Sequence, residues 1–302
     1  MLIDLIEILF IIGLGWYTGR KGWFNDQHLD GFEAFLFKIS LPCLLFSATH
    51  QALIQDLIYW PFIANFCLSF LIVAVLIALV FAKRYPLPQI LMKVLTGAYV
   101  NSAFYGLPVM KFILDDPRAA VTANLIQALF INSSFMIALS FLTEKGQNSL
   151  PKKLFGIVSS PIIVLPILGI IIAFFEIPTP KVITKISSNL GICAPALALF
   201  SFGLNLNALR LNFKVFKNWE LSFIVACKNI LHPVLAYGLG AYFFHLSEYW
   251  LKASVIMCIA PTAFIINIMA KRFQVDAAFV KSGVAITSFI AVFSLILMIF
   301  LF

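Results

Sequence analysis

The sequence predicts an all-α membrane protein of ten transmembrane helices in two inverted five-helix repeats, with broken, crossing helices 4 and 9. Three observations predict it. The composition is too apolar for a soluble domain, ten apolar segments have spanning length, and two pairs of prolines recur at one spacing.

Composition sets the class. Of 302 residues, 62% are hydrophobic and 11% charged, where a soluble domain carries about 25% charged residues. The net charge of +8 would suggest nucleic acid in a soluble protein. In a membrane chain basic residues collect in cytoplasmic loops instead, so the expected partner is the lipid bilayer and nucleic acid is not expected. Cys43, Cys67, Cys193, Cys227 and Cys258 each stand alone in apolar surroundings. Without a C-x-x-C or a Cys/His cluster, neither a metal site nor a cofactor is expected. The first segment, LIDLIEILFIIGLGWYTGR, carries Asp4 and Glu7 where a signal peptide needs basic residues, so it reads as a span.

A span takes about 20 apolar residues. The segments run 2–19, 32–49, 57–81, 89–112, 119–142, 155–175, 183–205, 219–243, 249–270 and 275–301. With the N-terminus outside, inner loops hold thirteen basic residues, among them Lys93, and outer loops five. The positive-inside rule then predicts a multi-pass protein of the cell inner membrane with both termini periplasmic and the 143–154 linker cytoplasmic.

The chain also resembles itself. ISLPCLLFS and ICAPALALFS each carry a central proline, and Pro42 and Pro195 lie 153 residues apart. Pro108 and Pro261 are separated by the same 153; beyond them the better register is 160, with Lys111 and Asp116 matching Lys271 and Asp276. This gives a first repeat, 1–142, and a second, 155–302. Five spans is an odd number, so the second repeat enters from the opposite side, a construction of secondary transporters.

Gly/Pro-interrupted spans in corresponding places point to a transporter's binding site. In NSAFYGLPV the candidates are Asn101, Ser102, Tyr105, Gly106 and Pro108; in APTAFIIN they are Pro261, Thr262 and Asn267. A break leaves orphan amides on one half-helix and orphan carbonyls on the other, and half-helix N-termini suit an anion. Asn101, Ser102, Thr262 and Asn267 either bridge the broken backbone or contact substrate, and Tyr105 either packs or lines the site. Lys228, with His232 one turn on, is a functional candidate as an ionisable residue within a span, unless it snorkels to one end. Glu7 faces either the protein interior or another subunit, which leaves a homodimer open. No carboxylate stands beside either break. A sodium site can be built from carbonyls and hydroxyls, so proton and sodium both stay open as coupling ions.

The order of GWYTGRKGWF, SLPCLLFS, NSAFYGLPVMK, APALALFSFGLNL, APTAFIINIMAKRFQVD and KSGVAITS resembles the auxin efflux carrier family, which includes plant PIN carriers and bacterial malonate and malate permeases. The likeness covers almost the whole chain. It implies ten spans in two inverted repeats, a scaffold part and a transport part, elevator-type movement, and crossover prolines at Pro108 and Pro261, with Asn101 as the polar residue before the first. The implied cargo is a small organic anion, a dicarboxylate such as malonate or malate or an auxin-like carboxylate. The chain lacks the long central loop of the plant carriers, which favours the bacterial type. The wider superfamily offers an alternative, a sodium-coupled carrier of larger organic anions like the bile acid symporters. A membrane-embedded enzyme is a further alternative, but its one acidic pair, Asp115–Asp116, sits in a DDP turn that reads as a helix-ending loop. No catalytic residue is expected.

Overall fold

The computed structural model describes residues 2–50, 58–143, 159–209 and 218–301, and all the regular structure among them is helical. Beyond Thr143, the expected linker lies outside the described residues. Six stretches among the described residues are long and apolar enough to cross a membrane: Gln27–Thr49, Trp60–Phe81, Arg118–Leu142, Lys181–Asn207, Trp219–Phe243 and Ala277–Ser294. The exposed surface includes Phe10, Leu79, Phe130, Phe141, Ile230 and Tyr242, while Asn65, Ser69, Thr96, Thr262 and Thr287 are buried. Polar groups inside and apolar ones outside suit a solvent that cannot hydrogen-bond.

The chain forms two compact units, and each draws on both halves of the sequence. One comprises Met1–Tyr59, Ala103–Leu129 and Lys153–Ala208; the other comprises Trp60–Ser102, Phe130–Lys152 and Leu209–Phe302.

The first unit contains α1 (Leu2–Arg20), α2 (Asp26–Phe35), α3 (Leu41–Thr49), α6 (Leu107–Leu114), α7 (Arg118–Ile126), α9 (Pro161–Phe174), α10 (Lys181–Gly191) and α11 (Ala194–Leu209). Asn25 caps α2, accepting from the His28 amide at 3.1 Å while His28 Nδ1 accepts in return from the Asn25 amide. Helices α1 and α11 touch backbone to backbone. A Cβ on Gly15 would collide with the Phe200 carbonyl, and one on Gly203 with that of Ile12, the close approach that small residues permit between membrane helices. The second and seventh stretches meet at their interruptions. Ser40 Oγ donates to the Leu190 carbonyl at 2.7 Å and lies 3.2 Å from Cys193 Sγ, and Gly191 abuts the Leu44 backbone.

The second unit contains α4 (Trp60–Phe81), α5 (Leu87–Ala98), α8 (Ser133–Leu142), α12 (Trp219–Ala226), α13 (His232–Gly238), α14 (Glu248–Ile259), α15 (Ile265–Phe273) and α16 (Ala277–Leu301). Val73, Ile77 and Phe81 of α4, Ile90, Val94 and Ala98 of α5, and Ile224 of α12 form a common core with Cys227.

Wide π-helical turns at Leu36–Ser40, Ser102–Gly106 and Cys227–Leu231 each end two residues before a proline: Pro42, Pro108 and Pro233. Proline has no amide, and its ring clashes with the carbonyl four residues back. Widening the turn moves that carbonyl aside. The turn at Cys227–Leu231 matters most, because it carries Lys228.

Candidate functional site

In the second unit two helices stop in mid-course and their loose ends meet. α5 ends at Ala98, and Tyr99 is extended (φ −73°, ψ 129°). α14 ends at Ile259, and Ala260 is extended (φ −50°, ψ 140°). The two extended stretches join where the Asn101 amide donates to the Pro261 carbonyl at 2.7 Å.

Counting partners four residues apart shows how the break is held. In an unbroken helix the Thr96 carbonyl would accept from the Val100 amide; here it accepts from Thr262 Oγ1 at 2.6 Å. The Cys258 carbonyl would accept from the Thr262 amide. That amide donates instead to Thr287 Oγ1 at 3.2 Å, and Cys258 receives Lys228 Nζ at 2.8 Å. Asn229, beside Lys228, donates to the Thr287 carbonyl at 3.4 Å. Side chains from α16 and the Cys227–Leu231 turn thus replace the lost helical bonds.

Lys228 is fully buried, so it does not snorkel. Among the described residues its ammonium meets a carbonyl and no carboxylate. Lys93 makes the contrast. It belongs to α5 rather than to a loop as expected, and it is buried, but Glu220 lies 3.1 Å and Asp276 3.8 Å away. Tyr85 donates to Glu220 at 2.7 Å, and the Phe279 ring centroid is 3.7 Å from the ammonium. Burial foremost holds the Asp276 carboxyl above its ordinary range; Lys93 opposes that shift and Glu220 adds to it. One buried lysine has its counter-charges, and the other has none among the described residues.

The expected residues divide accordingly. Asn101, Pro261, Thr262 and Lys228 come together, with Ser102 buried next to Asn101. Asn267 is half-buried in α15, and its side-chain oxygen has no partner. Tyr105, Gly106 and Pro108 fall in the other unit, where the Tyr105 ring packs against Phe202 at 5.6 Å. The pairing of Pro108 with Pro261 is corrected. Pro108 sits in the first turn of α6, whereas the non-helical residues of the fourth stretch are Tyr99–Asn101. Matching helix ends (Ala98 with Ile259, Leu114 with Phe273) puts the two breaks about 160 residues apart, the second of the two registers. Thr96, Asn229 and Thr287 carry no composition signal, since hydroxyls and amides are common in apolar helices.

Thr262 behaves as a helix-bridging residue. Thr262→Val keeps the shape, removes the donor to Thr96, and strands a buried carbonyl. It should lower stability in detergent by about 1–3 kcal/mol while leaving ligand affinity within a fewfold. A binding loss larger than the stability loss would make Thr262 a direct ligand.

The family model described as "Membrane transport protein" matches residues 1–156 and 146–299. The chain is 24% identical over 293 residues to a protein of Rhizobium meliloti (strain 1021) named "Putative malonate transporter", covering 93% of this chain and 89% of that protein. It is also 24% identical over 298 residues to "Uncharacterized transporter YfdV" of Escherichia coli (strain K12), covering 93% of this chain and 90% of that protein. These matches agree with the resemblance to auxin efflux carriers, and the family and its relatives are transporters rather than enzymes. Apolar helices of spanning length and a match along nearly the whole chain lead to one assignment: the protein belongs to the membrane transport protein family.

Proposed function

We propose that the protein is a secondary carrier of a small organic anion, a dicarboxylate such as malonate or malate or an auxin-like carboxylate, which binds where helices 4 and 9 break and cross. The observation that carries this reading is Lys228, a fully buried ammonium beside the crossing with no carboxylate among the described residues to neutralise it. A buried charge is costly unless paired, and an anionic cargo supplies the pair.

The rest of the reading follows the fold. The unit containing the crossing is the transport part, the other unit is the scaffold, and the two exchange access by an elevator-type movement. Ten spans in inverted repeats, with 143–154 cytoplasmic and both termini periplasmic in the inner membrane, fit the basic-residue asymmetry. Half-helix carbonyl ends are where sodium binds in carriers of this kind, and here the Lys228 ammonium occupies one such carbonyl. That favours an organic anion carrier independent of sodium over the bile-acid-symporter alternative.

Counterflow in proteoliposomes preloaded with malonate tests the function. External labelled malonate should accumulate transiently, without added sodium. Failure across a panel of small mono- and dicarboxylates rejects the anion reading; accumulation only with sodium supports the alternative.

A further inference from the structure

His232 lies one helical turn beyond Lys228 and is fully buried, yet neither ring nitrogen has a hydrogen-bond partner. Its surroundings make this conspicuous. Three helices of the second unit form a polar seam with two rungs, one turn apart on α4 and α14 and two turns apart along the helical stretch from Lys228 to Ala236. At one rung Asn65 of α4 donates to Ser254 Oγ of α14 at 2.6 Å and to the Ala236 carbonyl of α13 at 3.0 Å. At the other, Ser69 of α4 faces Cys258 Sγ at 4.0 Å, and the Cys258 carbonyl takes the Lys228 ammonium. On its own helix His232 falls midway between Lys228 and Ala236. Each rung is tied by at least one hydrogen bond, although Asn65 Oδ1 also lacks a partner, whereas the imidazole between them has none at either nitrogen. Buried polar groups nearly always find partners, and an exception asks for a function.

We propose that His232 is a proton-binding site coupled to the anion site at Lys228, so that a dicarboxylate dianion is carried together with one proton. The inference rests on the anion-carrier reading above. Its physical basis is charge balance in a dry interior. When the site is empty, a positive charge on Lys228 and a second on His232 would face each other one turn apart without water to screen them. A dianion brings two negative charges. Lys228 offsets one, and a protonated His232 offsets the other. Anion binding therefore favours proton binding, and by linkage the proton favours the anion to the same extent.

The other charged or titratable groups on the elements packed here do not interfere. α4 contributes Asn65 and Ser69, which are neutral, and α14 contributes the Cys258 thiol at this level. Glu248 and Lys252, at the start of α14, pair with each other at 2.7 Å. Lys93 of α5 and Glu220 of α12 pair with each other, and Lys281 of α16 is exposed. Among the described residues, the nearest charged group on these elements is Lys228, one turn away.

Titration calorimetry of the purified protein with malonate decides it, at a pH where free malonate is a dianion, in two buffers of different ionisation enthalpy. The difference in heats gives the protons taken up, expected to be about one per malonate. His232→Gln keeps a hydrogen-bonding side chain that does not titrate, and should bind malonate more weakly with no proton uptake. Binding without uptake in the unmodified protein, or unchanged uptake in His232→Gln, overturns the proton site and leaves the carrier reading standing. The first of these needs no variant, so it decides even where His232→Gln does not fold. Absence of heat with malonate and with other small carboxylates overturns the carrier reading, and the proton site with it.

Discussion

Lys228→Met is expected to yield a protein that inserts and remains folded but has lost its affinity for a small dicarboxylate. The two effects separate because Lys228 does two things. Toward the protein, its ammonium donates to the Cys258 carbonyl at 2.8 Å. Losing that donor strands a carbonyl, at a cost of about 1–3 kcal/mol. Methionine fills nearly the same volume, however, and removes a charge whose own burial is unfavourable. The net change in stability should therefore be small, of either sign. Toward the ligand there is no such offset. A buried, hydrogen-bonded charge pair that loses one member costs roughly 2–5 kcal/mol of binding, which is about thirtyfold to several thousandfold in Kd. Melting temperature with and without saturating ligand, on one detergent preparation, reads both quantities. Intact ligand-induced stabilisation in Lys228→Met would move the anion away from this lysine.

The ambiguity about Lys228 in the sequence had a physical cause. Whether a lysine snorkels depends on its depth and on which face of its helix is covered, and neither can be read from FIVACKNILHP. Burial resolves it. Composition, by contrast, is a bulk property, so the membrane class was legible without a fold. The neighbourhood of the helix breaks was legible too, because Gly, Pro and Asn disturb a helix locally wherever it sits. The register of the breaks was not. No proline stands at Tyr99–Asn101; that break is held by the Asn101–Pro261 and Thr262–Thr96 bonds, which link residues more than 150 positions apart and leave no local pattern. Tyr105 stands close to Asn101 in sequence and Pro108 repeats at the 153-residue spacing, but the chain passes into the other unit at Ala103. Linear halves are equally silent about interleaved units. His232 was visible as a residue, but the lack of partners for its ring emerges only from three helices packed together.

The same geometry orders two proline substitutions. Pro261→Ala should nearly abolish transport, by tenfold or more, in a protein that still inserts, whereas Pro108→Ala should retain it within a fewfold. Just beyond α14, Pro261 has no amide to offer the Met257 carbonyl, and the chain leaves the helix after Ile259. Alanine restores that donor, and continuing the helix through residue 261 becomes favourable. Continuation would turn the residue 261 carbonyl away from the Asn101 amide, withdraw Thr262 Oγ1 from Thr96, and return the Thr262 amide to Cys258, displacing Lys228. The contacts that make the crossing would thus fail together. Pro108 occupies the first turn of α6, where proline is tolerated because an early amide has little to lose. Replacing it lets the preceding wide turn tighten and changes stability by about 1 kcal/mol or less. Counterflow rates normalised to reconstituted protein compare the two directly. Greater damage from Pro108→Ala would place the working break of the fourth stretch at its proline rather than at Tyr99–Asn101, and the crossing held by Asn101 and Pro261 would then be a structural joint alone.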